Sequence, residues 1–285
     1  IKEAEQQKEM LEKISNEDPE KSKMMDLLNK LTVDTYEEIK EQIFNLIEKD
    51  VEVQNKFLDV LFVKALSGKS FAFLYANLCK DLDGQLPQKT IPESKPDNKK
   101  DGKDSKDGKD GKEGEKKEKL ITCFRSYLLT KGKDIINNTP ENILNISDPE
   151  EKFNKLKKFV LGNVNFITEL IISKILNKVV VNACTSSLLK KVKDNQLGDA
   201  VLHEKMVPVY IESIVIILDK FGTHINKFDK LKLEVVKDLN NKIDEMIVKL
   251  EEILKENTAL PSFIKFKVIN LIEKKKAGWE LTEVD

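Results

Sequence analysis

Residues 57–82 read FLDVLFVKALSGKSFAFLYANLCKDL. Phe57, Leu58, Leu61, Phe62 and Ala65 recur three or four positions apart, which places them on one stripe of an α-helix. Gly68 is expected to stop that helix as a C-cap. Ser70 is expected to cap the next one, from which Phe71, Leu74, Tyr75, Leu78 and Leu82 point inward. A connection this short leaves two neighbouring helices an antiparallel hairpin.

Upstream, the same pattern appears twice more. Met24, Leu27, Leu28 and Leu31 follow the i, i+3, i+4, i+7 rule of an amphipathic helix. Asp34 and Glu37 have the spacing of a capping box, ahead of an apolar face made by Ile39, Ile43, Leu46 and Ile47. Residues 1–20 are charged and weakly periodic, and read as a frayed helix or tail with Pro19 as a break. Isoleucine at position 1 points to a fragment of a longer protein.

Downstream, the composition shifts abruptly. Residues 84–119 carry Pro87, Pro92 and Pro96 and then DGKDSKDGKDGKEGEKKEK. Such a run cannot bury enough apolar surface to offset the entropy of ordering, so it is expected to be a disordered loop inside the domain. Leu120, Ile121, Phe124, Tyr127 and Leu128 then resume helical packing. Lys131 to Pro149 reads as a second loop. Phe153 to Leu176 is helical with an interruption near Gly162-Asn163, and Val179 to Val192 forms another helix. Pro208 fits the first turn of the next, which Gly222 ends. Leu239–Leu254 and Pro261–Ile272 follow, the latter running into Lys274, Lys275 and Lys276, charges that favour a helix C-terminus. Roughly ten paired helices without strand-like alternation describe an all-α protein, an α-solenoid of the irregular HEAT type. The expected organisation is a single domain over 21–280, with tails at 1–20 and 281–285.

Composition narrows the function. Of 285 residues, 49 are Lys or Arg and 50 Asp or Glu, giving a net charge of −1. Bulk charge therefore gives no drive toward nucleic acid, although clustered lysines could still meet phosphate locally. Cys79, Cys123 and Cys184 lack metal-ligand spacing and read as buried, reduced thiols of a cytosolic or nuclear protein. No apolar run reaches the length of about 20 residues that spans a bilayer, so no membrane partner is expected. Gly68-Lys69-Ser70 resembles the end of a phosphate-binding loop, but the motif needs an earlier glycine where Val63 stands and a preceding strand. His203 and His224 have no acid or thiol partner nearby in sequence. Catalysis has no foothold, no cofactor is expected, and the chain reads as a non-enzyme.

Several ordered stretches are similar to one known family. Leu27-Leu28-Asn29-Lys30-Leu31-Thr32, the stretch Phe57 to Leu66, and Tyr75-Ala76-Asn77-Leu78-Cys79 resemble successive segments of the middle domain of eukaryotic translation initiation factor 4 gamma. Leu161-Gly162-Asn163-Val164-Asn165-Phe166-Ile167-Thr168-Glu169-Leu170, followed by Lys174 and Leu176, resembles a further stretch, and Ile264 to Trp279 is similar to the last helix and its trailing tryptophan. The resemblance spans about residues 24–280. It implies about five HEAT-type antiparallel helix pairs, cytoplasmic localisation, and a translation-initiation scaffold that binds the DEAD-box RNA helicase initiation factor 4A. It implies that the scaffold touches both helicase lobes and stimulates turnover, with other initiation factors and mRNA as further partners. Carried over by motif, the helicase-contact residues are Asn29, Lys30, Leu31, Thr32, Asn163, Glu169, Lys174 and Trp279.

Packing is the alternative at each of these positions. Leu31 can close the first repeat and Asn29 can cap it. Tyr75 and Asn77 suit the core and inter-repeat hydrogen bonds, Gly162 suits close helix approach, and Trp279 can either anchor a partner or close the last repeat. Thr168 and Ile172 stand where the family has a small and a basic residue. Glu280, Leu281 and Thr282 stand where it has basic ones, so helicase binding is favoured over direct RNA binding. The competing readings are related HEAT-type adaptors in mRNA decay, cap binding or splicing, and a HEAT scaffold without a helicase partner.

Overall fold

The computed structural model describes residues 18–67, 71–86, 90–92, 120–225, 233–257 and 259–279. Eleven helices occur among them, one of a single turn. They are α1 (Pro19–Lys30), α2 (Tyr36–Ile47), α3 (Val51–Ser67), α4 (Ala72–Gln85), α5 (Cys123–Asn137), α6 (Glu141–Leu144), α7 (Pro149–Ile172), α8 (Val179–Lys193), α9 (Ala200–Ile225), α10 (Leu233–Glu256) and α11 (Ser262–Lys276).

Helix starts follow local chemistry. Asp18 accepts from the Glu20 and Lys21 amides at 3.0 and 3.4 Å, and Asp148 accepts from the Glu151 amide at 2.6 Å. In both cases proline occupies the first turn, where its missing N–H leaves nothing unsatisfied. Pro19 therefore opens α1 and does not break it. The Asp34–Glu37 capping box does not form. Thr35 is the residue ahead of α2, its Oγ1 donates to the Lys30 carbonyl at 2.6 Å, and the Thr32 amide donates back to that Oγ1 at 2.9 Å. A threonine clasp thus closes the α1–α2 turn.

The helices stack in two layers. One layer runs α1, α3, α7, α9, α11, each packed on the next; the other holds α2, α4, α5, α8 and α10. This is the all-α solenoid expected from the sequence. Its core is continuous, from Met24, Leu28 and Ile43 through Phe57, Leu61 and Phe166 to Tyr210, Phe221, Leu250 and Ile264. At the middle of the stack the Phe62 and Phe166 rings meet edge-on with centroids 5.1 Å apart, a geometry that suits aromatic quadrupoles.

Several expectations are corrected. Gly162 does not interrupt a helix: α7 runs unbroken through it, and a Cβ there would come within 2.9 Å of the Leu66 Cα. The glycine is a contact between α7 and α3, in line with the close-approach reading. Gly222 also lies inside a helix, α9, which continues to Ile225, and Pro208 sits in its interior and not in its first turn. The segment after Lys131 is helical as far as Asn137, because Ile135 and Ile136 extend the apolar face of α5 onto the core. Helix α4 reaches Gln85, and Thr90–Pro92 pairs antiparallel with Leu120–Thr122, so Leu120 and Ile121 are in a short strand and not a helix. Phe71 is 44% exposed and does not point inward. The charged run 93–119, Gly68, Ser70 and the tail 281–285 lie outside the described residues.

Candidate partner-binding surfaces

The first group of motif residues is gathered at the α1–α2 turn. Leu31 follows the last residue of α1 and is 3% exposed, so it packs the first repeat and offers no surface. Asn29, Lys30 and Thr32 are exposed around it. Asn29 caps nothing; its Oδ1 accepts from Lys64 Nζ at the end of α3. Lys56 meets Asp18 and Glu20 at the other end of the same two helices, so α1 lies parallel to α3 and the turn is braced against a second helix. Val33 is 73% exposed at the tip of this turn. It lies between two hydroxyl-bonded threonines, in a short rigid connection. No periodicity rule flags it, because loops carry none; only its place beside Thr32 could have drawn attention.

The second group lies where α7, α9 and the end of α11 converge. Glu169 is partly buried on α7 and accepts from Lys220 Nζ of α9 at 2.7 Å. Two residues further along α9, Gly222 lies directly beneath the Trp279 ring, which leaves no room for a Cβ. Trp279 is only 8% exposed, and both it and Gly278 have φ in the left-handed region, at 66° and 76°. The chain thus turns sharply after Lys276 and folds the indole back onto α9. Trp279 closes the last repeat and is no exposed anchor. Salt bridges fix α11 along α9: Lys267 to Glu212 at 2.5 Å and Lys274 to Asp219 at 3.4 Å, both pairs seven residues apart on each helix.

The remaining motif residues divide. Asn163 is 1% exposed, and its Nδ2 donates to the Phe159 carbonyl of its own helix, so it is a core residue. Lys174 is exposed just past the end of α7 at φ 67°. Tyr75 is buried, and burial raises its phenol pKa to about 12. Asn77 is exposed on α4. The inter-repeat hydrogen bonds sought there come instead from Tyr36 and Arg125, which the sequence did not single out, and from Tyr127, which it read only as a packing residue. Tyr36 donates to Asp81 at 2.9 Å, Tyr127 donates to Asp59 at 2.9 Å, and Arg125 pairs with the buried Asp83 at 2.6 Å.

Burial pushes the Cys184 thiol up to about 12 and raises that of Cys79 further; Cys123 is only half buried, unlike the other two. His203 and His224 are bonded to the carbonyls of Lys191 and Lys220. Among the described residues, no cluster of three or more His, Cys, Asp or Glu could hold a metal ion, and no helix is long and apolar enough to cross a membrane.

What remains is a stacked helical scaffold whose motif residues fall on the α1–α2 turn, on and just past α7, and after α11. Residues 21–277 match the MIF4G domain. The chain belongs to the MIF4G domain family. This MIF4G chain is 25% identical over 274 residues to eukaryotic translation initiation factor 4 gamma 3 of Homo sapiens, a match that covers 92% of the chain and 15% of that protein. It is 25% identical over 281 residues to eukaryotic translation initiation factor 4 gamma 1 of Mus musculus, with the same coverage. To eukaryotic translation initiation factor 4 gamma 2 of Mus musculus it is 26% identical over 188 residues, covering 62% of the chain and 18% of that protein. The chain therefore spans less than a fifth of the length of these relatives.

Proposed function

We propose that this MIF4G domain is a cytoplasmic translation-initiation scaffold that binds the DEAD-box RNA helicase initiation factor 4A and carries out no catalysis of its own. Its contact residues are Asn29, Lys30, Thr32 and Val33 at the α1–α2 turn, with Glu169 and Lys174 at a second place on the stack, on the far side of α3. Leu31, Asn163 and Trp279 act beneath these surfaces by holding the backbone in place. What supports the reading is the match of residues 21–277 to the MIF4G domain, together with exposed Asn29, Lys30 and Thr32 at the α1–α2 turn and exposed Lys174 past the end of α7 on the same continuous stack.

The mechanism follows from that spacing. A two-lobed helicase visits its closed arrangement transiently when alone. A stack that touches each lobe at a fixed separation binds the productive arrangement better than the others, and so shifts the population toward it. The scaffold's binding energy is spent once on orienting the lobes, which lowers the cost of each later closure. Other initiation factors and mRNA are further partners in this reading; with a net charge of −1, mRNA contact rests on local lysines.

The test is helicase ATPase activity, measured with saturating RNA and increasing concentrations of this domain. Turnover should rise several-fold and then saturate. Binding without stimulation would defeat the orienting mechanism, and absence of binding would defeat the whole proposal.

A further inference from the structure

Away from both surfaces, a cavity of about 240 Å³ opens between the α5–α6 connection, the end of α8 and the first turns of α9. Two side chains that line it are more than nine-tenths buried. Lys191 is 6% exposed and Tyr210 is 1% exposed, with the ammonium 5.9 Å from the centre of the Tyr210 ring. Among the described residues, the Lys191 ammonium has no carboxylate within ion-pair distance, and neither it nor the Tyr210 hydroxyl has a hydrogen-bond partner. Neither polar end is fully enclosed, so each keeps a little contact with solvent, and both residues line the cavity. Burial lowers the Lys191 pKa and raises that of Tyr210 to about 12, each through lost solvation.

Leaving a lysine desolvated and unpaired costs stability, and a ligand that supplies the missing negative charge recovers it. The surroundings narrow what that ligand is. His203 is bonded through Nε2 to the Lys191 carbonyl at 2.9 Å, which fixes the wall beside the lysine. Asn137 Oδ1 is taken up by Ser187 at 2.6 Å, which leaves its amide nitrogen as a further donor. Asp194, exposed on the rim, is the one carboxylate among the lining residues. It would repel a doubly charged phosphate more strongly than a singly charged group. Leu144 and Leu197 supply apolar wall on the same rim, suited to a short methylene stem.

We infer that this cavity receives the side chain of a glutamate on a partner polypeptide, its carboxylate meeting Lys191 and Tyr210 and its methylenes lying along Leu144 and Leu197. The site is independent of helicase binding, so it stands or falls separately from the proposed function.

The experiment is a titration followed by nuclear magnetic resonance on the whole chain, read at the amides of Thr139, Gln196 and Leu197. The probes are acetyl-Gly-Glu-Gly-amide, its glutamine counterpart and inorganic phosphate. The glutamate peptide should shift these signals saturably at millimolar concentration, and the glutamine peptide should bind at least tenfold more weakly. Lys191→Met keeps the buried stem and removes the charge, and should abolish the response. Tyr210→Phe keeps the ring and should weaken binding several-fold. Equal responses to the glutamate and glutamine peptides, an unchanged response in Lys191→Met, or tighter saturation by phosphate would each overturn the inference.

Discussion

The α1–α2 turn and the α9–Trp279 junction both carry motif residues of the same family, yet they are built in opposite ways. At the turn, one residue of the motif, Leu31, is buried, and its neighbours Asn29, Lys30, Thr32 and Val33 face solvent around a threonine clasp. At the junction the most conspicuous side chain, the single tryptophan, is folded onto a glycine and sealed. A motif can match because a partner reads it or because the fold needs it, and exposure separates the two. The α1–α2 turn leaves side chains exposed; the α9–Trp279 junction finishes a core.

That contrast predicts a ranked set of mutational effects. The largest belongs to the junction. Trp279→Ala removes a nearly buried indole and should cost about 3–5 kcal/mol in denaturant unfolding. A loss below about 1 kcal/mol would mean that the indole does not close the stack. Gly162→Ala comes next: the new Cβ meets the Leu66 backbone, which cannot rotate away, so about 1–3 kcal/mol should be lost. At the turn the effects are smaller. Thr35→Ala deletes the bond to the Lys30 carbonyl and should cost about 1 kcal/mol, visible as faster amide exchange at Thr32. Smallest is the Glu169–Lys220 pair, whose lysine is 37% exposed. A double-mutant cycle with Glu169→Gln and Lys220→Met should give a coupling of about 1 kcal/mol or less, shrinking with salt. A much larger coupling would make the junction an electrostatic device instead of a packed one.

The sequence was informative where local periodicity decides and silent where distant chain segments meet. The stripes through Met24–Leu31, Ile39–Ile47 and Phe57–Ala65 are buried as their spacing required, except that Leu46 is only partly covered. Glycine and proline misled, because their usual meaning is local. Gly222 read as helix punctuation, and Gly162 as both an interruption and a close approach; each admits a neighbour—Trp279 in the first case, Leu66 in the second—that lies far away in the chain. Pro208 reads as a start, but the apolar face from Met206 to Phe221 packs on α7 and α8 strongly enough for α9 to extend on both sides of it. The buried Lys191 could not be found at all: it sits in a run of lysines, Lys190, Lys191 and Lys193, and only the fold distinguishes one from the others.

The central claim is that the first-layer turn is a contact surface held up by structural residues, and Val33 tests it most directly. Val33→Asp changes an exposed side chain with no packing role, so stability should stay within about 0.5 kcal/mol of the parent. Calorimetric titration with initiation factor 4A from the same organism should then show binding by the parent chain at micromolar concentrations, and at least tenfold weaker binding by the variant. Equal affinity of the two chains, or no binding by the parent at tens of micromolar, would contradict the account.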